Sequence, residues 1–193
     1  LSAVALLAFG FANAQEEKST NGGFSKGDVF VSGAFTFGST NDKDADEKTN
    51  GFEIAPQVGY FLTENIAIGG KLGFSSMKEE TAGVDTKDMA GLTVGAFGRY
   101  YFTPANQFSL FANLGLDYSS MENKLADSKV NGFNAGLGAG MNYFVSSNFS
   151  IEAGVAVLGF SSEKSDATGA KGSNGFNFGG DWRAVTFGVN YKF

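Results

Sequence analysis

The chain has no cysteine and no histidine, and only two prolines in 193 residues. Without cysteine there is no disulfide scaffold and no thiolate nucleophile; without histidine there is no Cys/His zinc site and no imidazole base. Positive charge is scarce as well. Fourteen Lys and Arg face twenty Asp and Glu, a formal charge of −6, so no basic footprint for nucleic acid is present and none is expected as a partner. What the chain does have is 28 glycines, 21 phenylalanines and six tyrosines. That much glycine argues against a mostly helical chain, and the aromatic content favours strands.

Residues 1–14, LSAVALLAFGFANA, are a short apolar run ending in Ala12-Asn13-Ala14. A small-x-small ending of this kind is what signal peptidase accepts. We expect a signal peptide over 1–14, truncated at its start, a periplasmic N-terminal segment over 15–26, and the folded domain over 27–193. Ten or so apolar residues are too few to span a bilayer as a helix.

From residue 29 onward, apolar side chains recur at every second position over eight segments: 29–37, 52–60, 66–74, 92–100, 110–118, 133–143, 149–157 and 185–193. This is the period of a strand with one apolar face, and helical periodicity is absent. A repeat supports the count. Tyr60-Phe61-Leu62-Thr63-Glu64-Asn65, Tyr101-Phe102-Thr103-Pro104-Ala105-Asn106 and Tyr143-Phe144-Val145-Ser146-Ser147-Asn148 each mark a short turn. The intervening connections, 39–50, 77–89, 119–131 and 160–181, are longer, polar and mildly acidic. Short turns on one side and long ones on the other suit a transmembrane barrel.

Side-chain volume decides which face points outward. The second parity reads Ala67-Gly69-Lys71-Gly73-Ser75 in one strand and Asn134-Gly136-Gly138-Gly140-Asn142 in another. Small residues suit the cramped bore of an eight-strand barrel, while Leu, Phe and Tyr have room only outside. Tyr60, Phe61, Tyr100, Tyr101, Phe102, Phe108, Tyr143, Phe144, Phe149, Tyr191 and Phe193 are expected at the lower bilayer rim. Phe37, Phe52, Phe74, Tyr118, Phe133 and Trp182 are expected at the upper one, where amphipathic rings settle. Pro56 within a strand removes a ladder donor and leaves a partner carbonyl unpaired unless a bulge intervenes, and the offset between repeat and parity around Tyr100 calls for another irregularity.

The inward parity carries Glu53, Gln57, Lys71, Arg99, Asn113, Asp117, Glu152, Asn190 and Lys192, groups that are costly in lipid. Glu53 and Lys71 lie at similar depths on one hairpin, and Arg99 and Glu152 come from later strands. We read Glu53, Lys71, Arg99 and Glu152 as a polar network plugging the bore, against the alternative of a conduction path. Two motifs carry little chemistry. Asp42-x-Asp44-x-Asp46 followed by Glu53 has the spacing of a calcium loop but places Glu47 where the sharp turn needs glycine. Gly136-Leu137-Gly138-Ala139-Gly140 lacks the strand-turn-helix setting of a nucleotide loop. Neither metal nor cofactor is expected, and the chain is not read as an enzyme.

The last strand is the most specific signal. Thr186, Gly188, Tyr191 and Phe193 fit the polar-x-Gly-x-x-aromatic-x-aromatic ending recognised during outer-membrane assembly. With the leader and the eight segments, this makes the chain resemble the small eight-stranded outer-membrane β-barrel proteins, the group of OmpX and the OmpA transmembrane domain. The resemblance implies an all-β, antiparallel up-and-down barrel in the bacterial outer membrane, surrounded by outer-membrane lipid. It also implies insertion by the barrel assembly machinery, with those four residues recognised. We expect a monomer with a structural or surface-interaction role, meeting any extracellular partner through its outer loops. A narrow channel or small hydrophobic-ligand conduit resembling OmpW is the second reading, and a soluble lipocalin-like carrier the third.

Overall fold

The computed structural model describes residues 22–167, 169–179 and 185–193. The leader expected over 1–14, residues 15–21 and Trp182 lie outside the described residues. Nine strands are described: β1 (Val29–Asp42), β2 (Glu47–Phe61), β3 (Ile66–Thr81), β4 (Val84–Tyr101), β5 (Phe108–Asn123), β6 (Ser128–Phe144), β7 (Phe149–Ser165), β8 (Ser173–Phe178) and β9 (Thr186–Lys192). Strands β1 to β7 pair antiparallel in sequence order, and β9 joins β7 to β1 to close the ring. Both β8 and β9 lie along β7, against residues 158–163 and 149–154 respectively. They are two pieces of one stave, so the fold is a closed eight-stranded antiparallel barrel. Closure is made at the periplasmic half, where β9 pairs both β7 and β1, and backbone paired in this way is what a strand in lipid requires.

The apolar parity faces outward as expected. Val94, Leu114, Leu116 and Leu137 are each about half exposed in the isolated chain, and with their neighbours they form a belt too large and continuous for a water-soluble surface. Hydrocarbon is the solvent that suits it.

The outer loops differ from expectation, and the two expected irregularities take definite forms. The polar segments expected as long outer loops continue as hairpins, with tips only at 43–46, 82–83 and 124–127. Cross-strand ion pairs run up these extensions, among them Lys87–Glu79 at 2.8 Å and Lys78–Asp88 at 3.5 Å. At one tip Ala82 and Gly83 both have positive φ, 52° and 77°, the left-handed pair of a tight two-residue hairpin turn. Within the segment expected as the fourth outer loop, β8 forms because its alternating Phe176 and Phe178 meet Phe160 and Leu158 across the ladder.

Pro56 causes no bulge. The β2–β3 ladder skips Ala55 and Pro56 and resumes at Gln57↔Lys71 in the register it had at Ile54↔Phe74. Proline removes the donor, and the chain leaves a local gap without changing count. The irregularity near Tyr100 is a longer turn: 102–107 against 62–65 and 145–148. Asn65, Gln107 and Asn148, each just before a strand, donate side-chain N–H to the backbone carbonyls of Tyr101, Phe144 and Lys192. Gln107 thus does at one turn what Asn does at the other two, which shifts Tyr101 into the position of Phe61 and Phe144.

Candidate functional site

The bore is the site, and its floor is aromatic. Phe61, Tyr101 and Phe144 point inward and are fully buried, not on the lipid side of the lower rim as their sequence pattern suggests. They meet Phe30, Phe97 and Phe111 in one cluster. Every inward aromatic needs space, and the register supplies it: Phe30 faces Gly59, Phe97 faces Gly69, and Phe111 faces Gly140. A Cβ at Gly140 would lie 2.3 Å from the Phe111 ring, so the small inward parity makes room for rings beside it. Large side chains across the ladder from glycine also cover backbone that would otherwise be bare.

Residues 22–28 fold under this floor and close it. Phe24 is fully buried, stacked on Phe61 at 4.6 Å between ring centres and edge-on to Phe144 at 4.9 Å. Its backbone N–H donates to the Pro104 carbonyl at 2.7 Å. Gly23 sits so close to Ala105 that a Cβ would come within 2.4 Å of a backbone oxygen. Lys192 Nζ donates to the Gly23 carbonyl and reaches Asp28 at 3.6 Å. Six aromatic rings from the barrel and one from the N-terminal segment therefore fill the periplasmic end.

Above the rings lies an ionic layer. Arg99, 7% exposed, meets Glu152 at 2.8 Å. It also donates to Asn113 at 3.1 Å and Tyr101 at 3.3 Å. Its guanidinium sits 4.7 Å from the Phe111 ring centre and 4.9 Å from that of Phe97, so cation–π contact joins the ionic layer to the floor. Glu152 accepts further bonds from Gln57 and Asn190. Asn190 continues to Asn142 and Ser150, all three buried. This carboxylate has donors on several sides, which a buried charge requires.

Lys71 pairs with Asp117 at 2.8 Å. The two are not ladder partners; both stand opposite Gly95, one on each side. Glycine there lets them bridge over a whole strand, since a Cβ would fall 1.9 Å from the Asp117 carboxylate. Glu53, expected to pair with Lys71, lies across from Ser75 instead, and no ion pair to it occurs among the described residues. The four expected network residues thus divide: Arg99 and Glu152 come together, Lys71 finds Asp117, and Glu53 stands apart toward the outer mouth. Two cavities of about 450 and 270 Å³ flank the layer, and Lys71, Arg99, Asn113 and Glu152 line both.

At the closing strand, the Thr186 hydroxyl donates to the Gly154 carbonyl, and Gly188 faces Glu152 across the ladder. Tyr191 packs edge-on against Phe149 and Phe193 at 5.8 and 5.0 Å. The Phe193 N–H donates to the Val29 carbonyl, tying the end of the ring to its beginning. At the tip of the first hairpin, the Asp42 carboxylate accepts N–H from Asp44 and Ala45, serving the turn.

A family model, described as the outer membrane protein beta-barrel domain, matches residues 1–193. The chain belongs to this family. It is accordingly a bacterial outer-membrane protein, and the apolar belt faces outer-membrane lipid. No curated protein sequence matches it. Among solved structures, it resembles the outer membrane protein OprG of Pseudomonas aeruginosa, with a TM-score of 0.53 at 13% identity, covering 89% of this chain and 98% of that one. Neisserial surface protein A matches with a TM-score of 0.43 at 18% identity, covering 86% and 96%. Yersinia pestis Ail matches with 0.42 at 16%, covering 87% and 100%. At 13% identity the likeness to OprG shows the shared barrel alone.

Proposed function

We propose that this family member is a monomeric structural or surface-interaction barrel whose bore is shut to ions. The observation that carries the reading is the continuous plug: the Arg99–Glu152 layer lies directly on the aromatic floor that Phe24 closes. The hairpins that rise past the apolar belt, with their mixed charges, are the part of the molecule available to an extracellular partner. β9 pairs β1 over Phe30–Gly33 and so closes the ring within one chain, which supports the monomer. Residues 15–26 stay on the periplasmic side in this reading, after removal of 1–14. Thr186, Gly188, Tyr191 and Phe193 serve the assembly machinery before they take up their places in the ring. Planar-bilayer recording tests the plug: wild-type protein leaves conductance at background, and large, stable, voltage-independent openings would overturn it.

One observation favours a conduit as the second reading. Among the described residues, pairing between β1 and β9 stops at Gly33↔Val189, and the smaller cavity is lined at that level by Ala34, Phe187 and Gly188. Such a conduit would pass small apolar molecules sideways toward lipid above the plug. Cross-linking an Ala34→Cys/Gly188→Cys pair would then abolish uptake of an apolar dye into proteoliposomes; equal uptake before and after would dismiss it.

A further inference from the structure

Three of the chain's four methionines gather at one place. Met77, Met89 and Met121 line an outer cavity of about 440 Å³, together with Thr49, Glu53 and Ser75. Met77 and Met89 are direct ladder partners. Met121 stands opposite Gly91, two residues along β4 from Met89, and is therefore its diagonal neighbour. Direct partners have Cβ atoms about 5 Å apart and diagonal ones about 7–8 Å, both within reach of long side chains. Gly91 puts no side chain among them; a Cβ there would lie 3.8 Å from the Met121 methyl. Met77 and Met121 are 37% and 40% exposed and line this cavity.

The charge of this cavity differs from that of the cavities below. No Lys or Arg lines it; the exposed Glu53 carboxylate borders both it and the smaller cavity below, which Lys71 and Arg99 also line. Hard divalent ions want several oxygens, and no group of three or more Asp or Glu able to hold a metal occurs among the described residues. Thioether sulfur is neutral, soft and a ligand for monovalent copper.

The geometry points to a site for a soft monovalent cation, Cu(I) or Ag(I), held by the sulfurs of Met77, Met89 and Met121, with Glu53 as the balancing charge. Binding is coordination alone: the ion exchanges solvent ligands for sulfur, and no electron moves.

The test uses the refolded protein in detergent micelles, carbon-13 labelled at methionine methyls, titrated with silver nitrate in chloride-free buffer. Three methyl resonances shift and saturate at one equivalent. The fourth, from Met141, which points outward at 49% exposure, stays in place. Met89→Leu or Met77→Leu weakens Ag(I) binding by about tenfold or more, with the heat-modifiable gel shift retained; Met141→Leu leaves binding unchanged. Glu53→Gln weakens it less than the methionine changes do. Four methyls shifting alike, none shifting at excess silver, or zinc producing the same shifts would each overturn the site. So would movement of the three methyls with a long-chain fatty acid but not with silver.

Discussion

Replacing Arg99 by alanine removes the group that joins the ionic layer to the aromatic floor. The Glu152 carboxylate loses its 2.8 Å partner and keeps only neutral donors, Gln57 at 3.3 Å and Asn190 at 3.1 Å. Breaking a buried pair on one side costs about 3–5 kcal/mol. The two retained amides and the adjoining cavities, which let water approach, put Arg99→Ala near the lower end. At a denaturant slope of about 1–3 kcal/mol/M in urea, a loss of about 3 kcal/mol moves the midpoint down by about 1–3 M. The assay is urea unfolding in lipid vesicles, read by loss of the heat-modifiable gel shift. A second variant isolates the cause. Arg99→Met/Glu152→Gln removes both charges while keeping most of the volume, and recovers most of the midpoint, because the cost lies in the stranded carboxylate. A wild-type midpoint for Arg99→Ala, or a double variant no better than the single one, would refute the reasoning.

Phe24→Ala empties a fully enclosed ring site and should cost about 3–5 kcal/mol in the same assay; a loss below about 1 kcal/mol would show that the N-terminal segment does not seal the floor. Leu114→Arg, which places a charge on the outward face near mid-strand, should destabilise the barrel by about 2–4 kcal/mol. The same change at the outer-hairpin residue Leu125, on a turn beyond the apolar belt, should be near neutral. Glu79 is held below the usual carboxylate value of 4.5 chiefly by its hydrogen bond from Lys87. Its pairing therefore supports the β3–β4 hairpin above the unfolded carboxylate value and is lost as pH falls through the lowered folded one. NMR titration should find Glu79 protonating below pH 4.5, and Lys87→Met should return it to the ordinary range.

The barrel itself was legible because its cause is local. Lipid on one side imposes a two-residue period, and that period survives in each strand regardless of its neighbours. Parity also placed Lys71, Arg99 and Glu152 inside the bore. The partners were not legible, because register decides them. Phe30, Phe97 and Phe111 are large side chains on the inward parity, and only alignment with Gly59, Gly69 and Gly140 shows that each has a berth. The choice of Asp117 over Glu53 for Lys71 turns on Gly95 lying between them. The repeat misled at one point: matching Tyr101 to Tyr60 by identity hid a turn two residues longer, and with it the inward position of Tyr101. The aromatic dipeptides read as rim residues because a rim ring and a floor ring differ only by one step along the strand. Phe24 precedes the first strand, so no periodicity could point to it.

Because the chain lacks cysteine, single cysteines report accessibility without background. In oriented proteoliposomes, a bulky hydrophilic maleimide applied from the outer side should label Ser75→Cys, which lines the outer cavity. It should leave Leu114→Cys on the lipid face unlabelled, as well as Ser32→Cys, whose hydroxyl faces inward, 3% exposed and without a hydrogen-bond partner among the described residues. Rapid aqueous labelling of Leu114→Cys would contradict the outward apolar face, and rapid labelling of Ser32→Cys would contradict the closed bore.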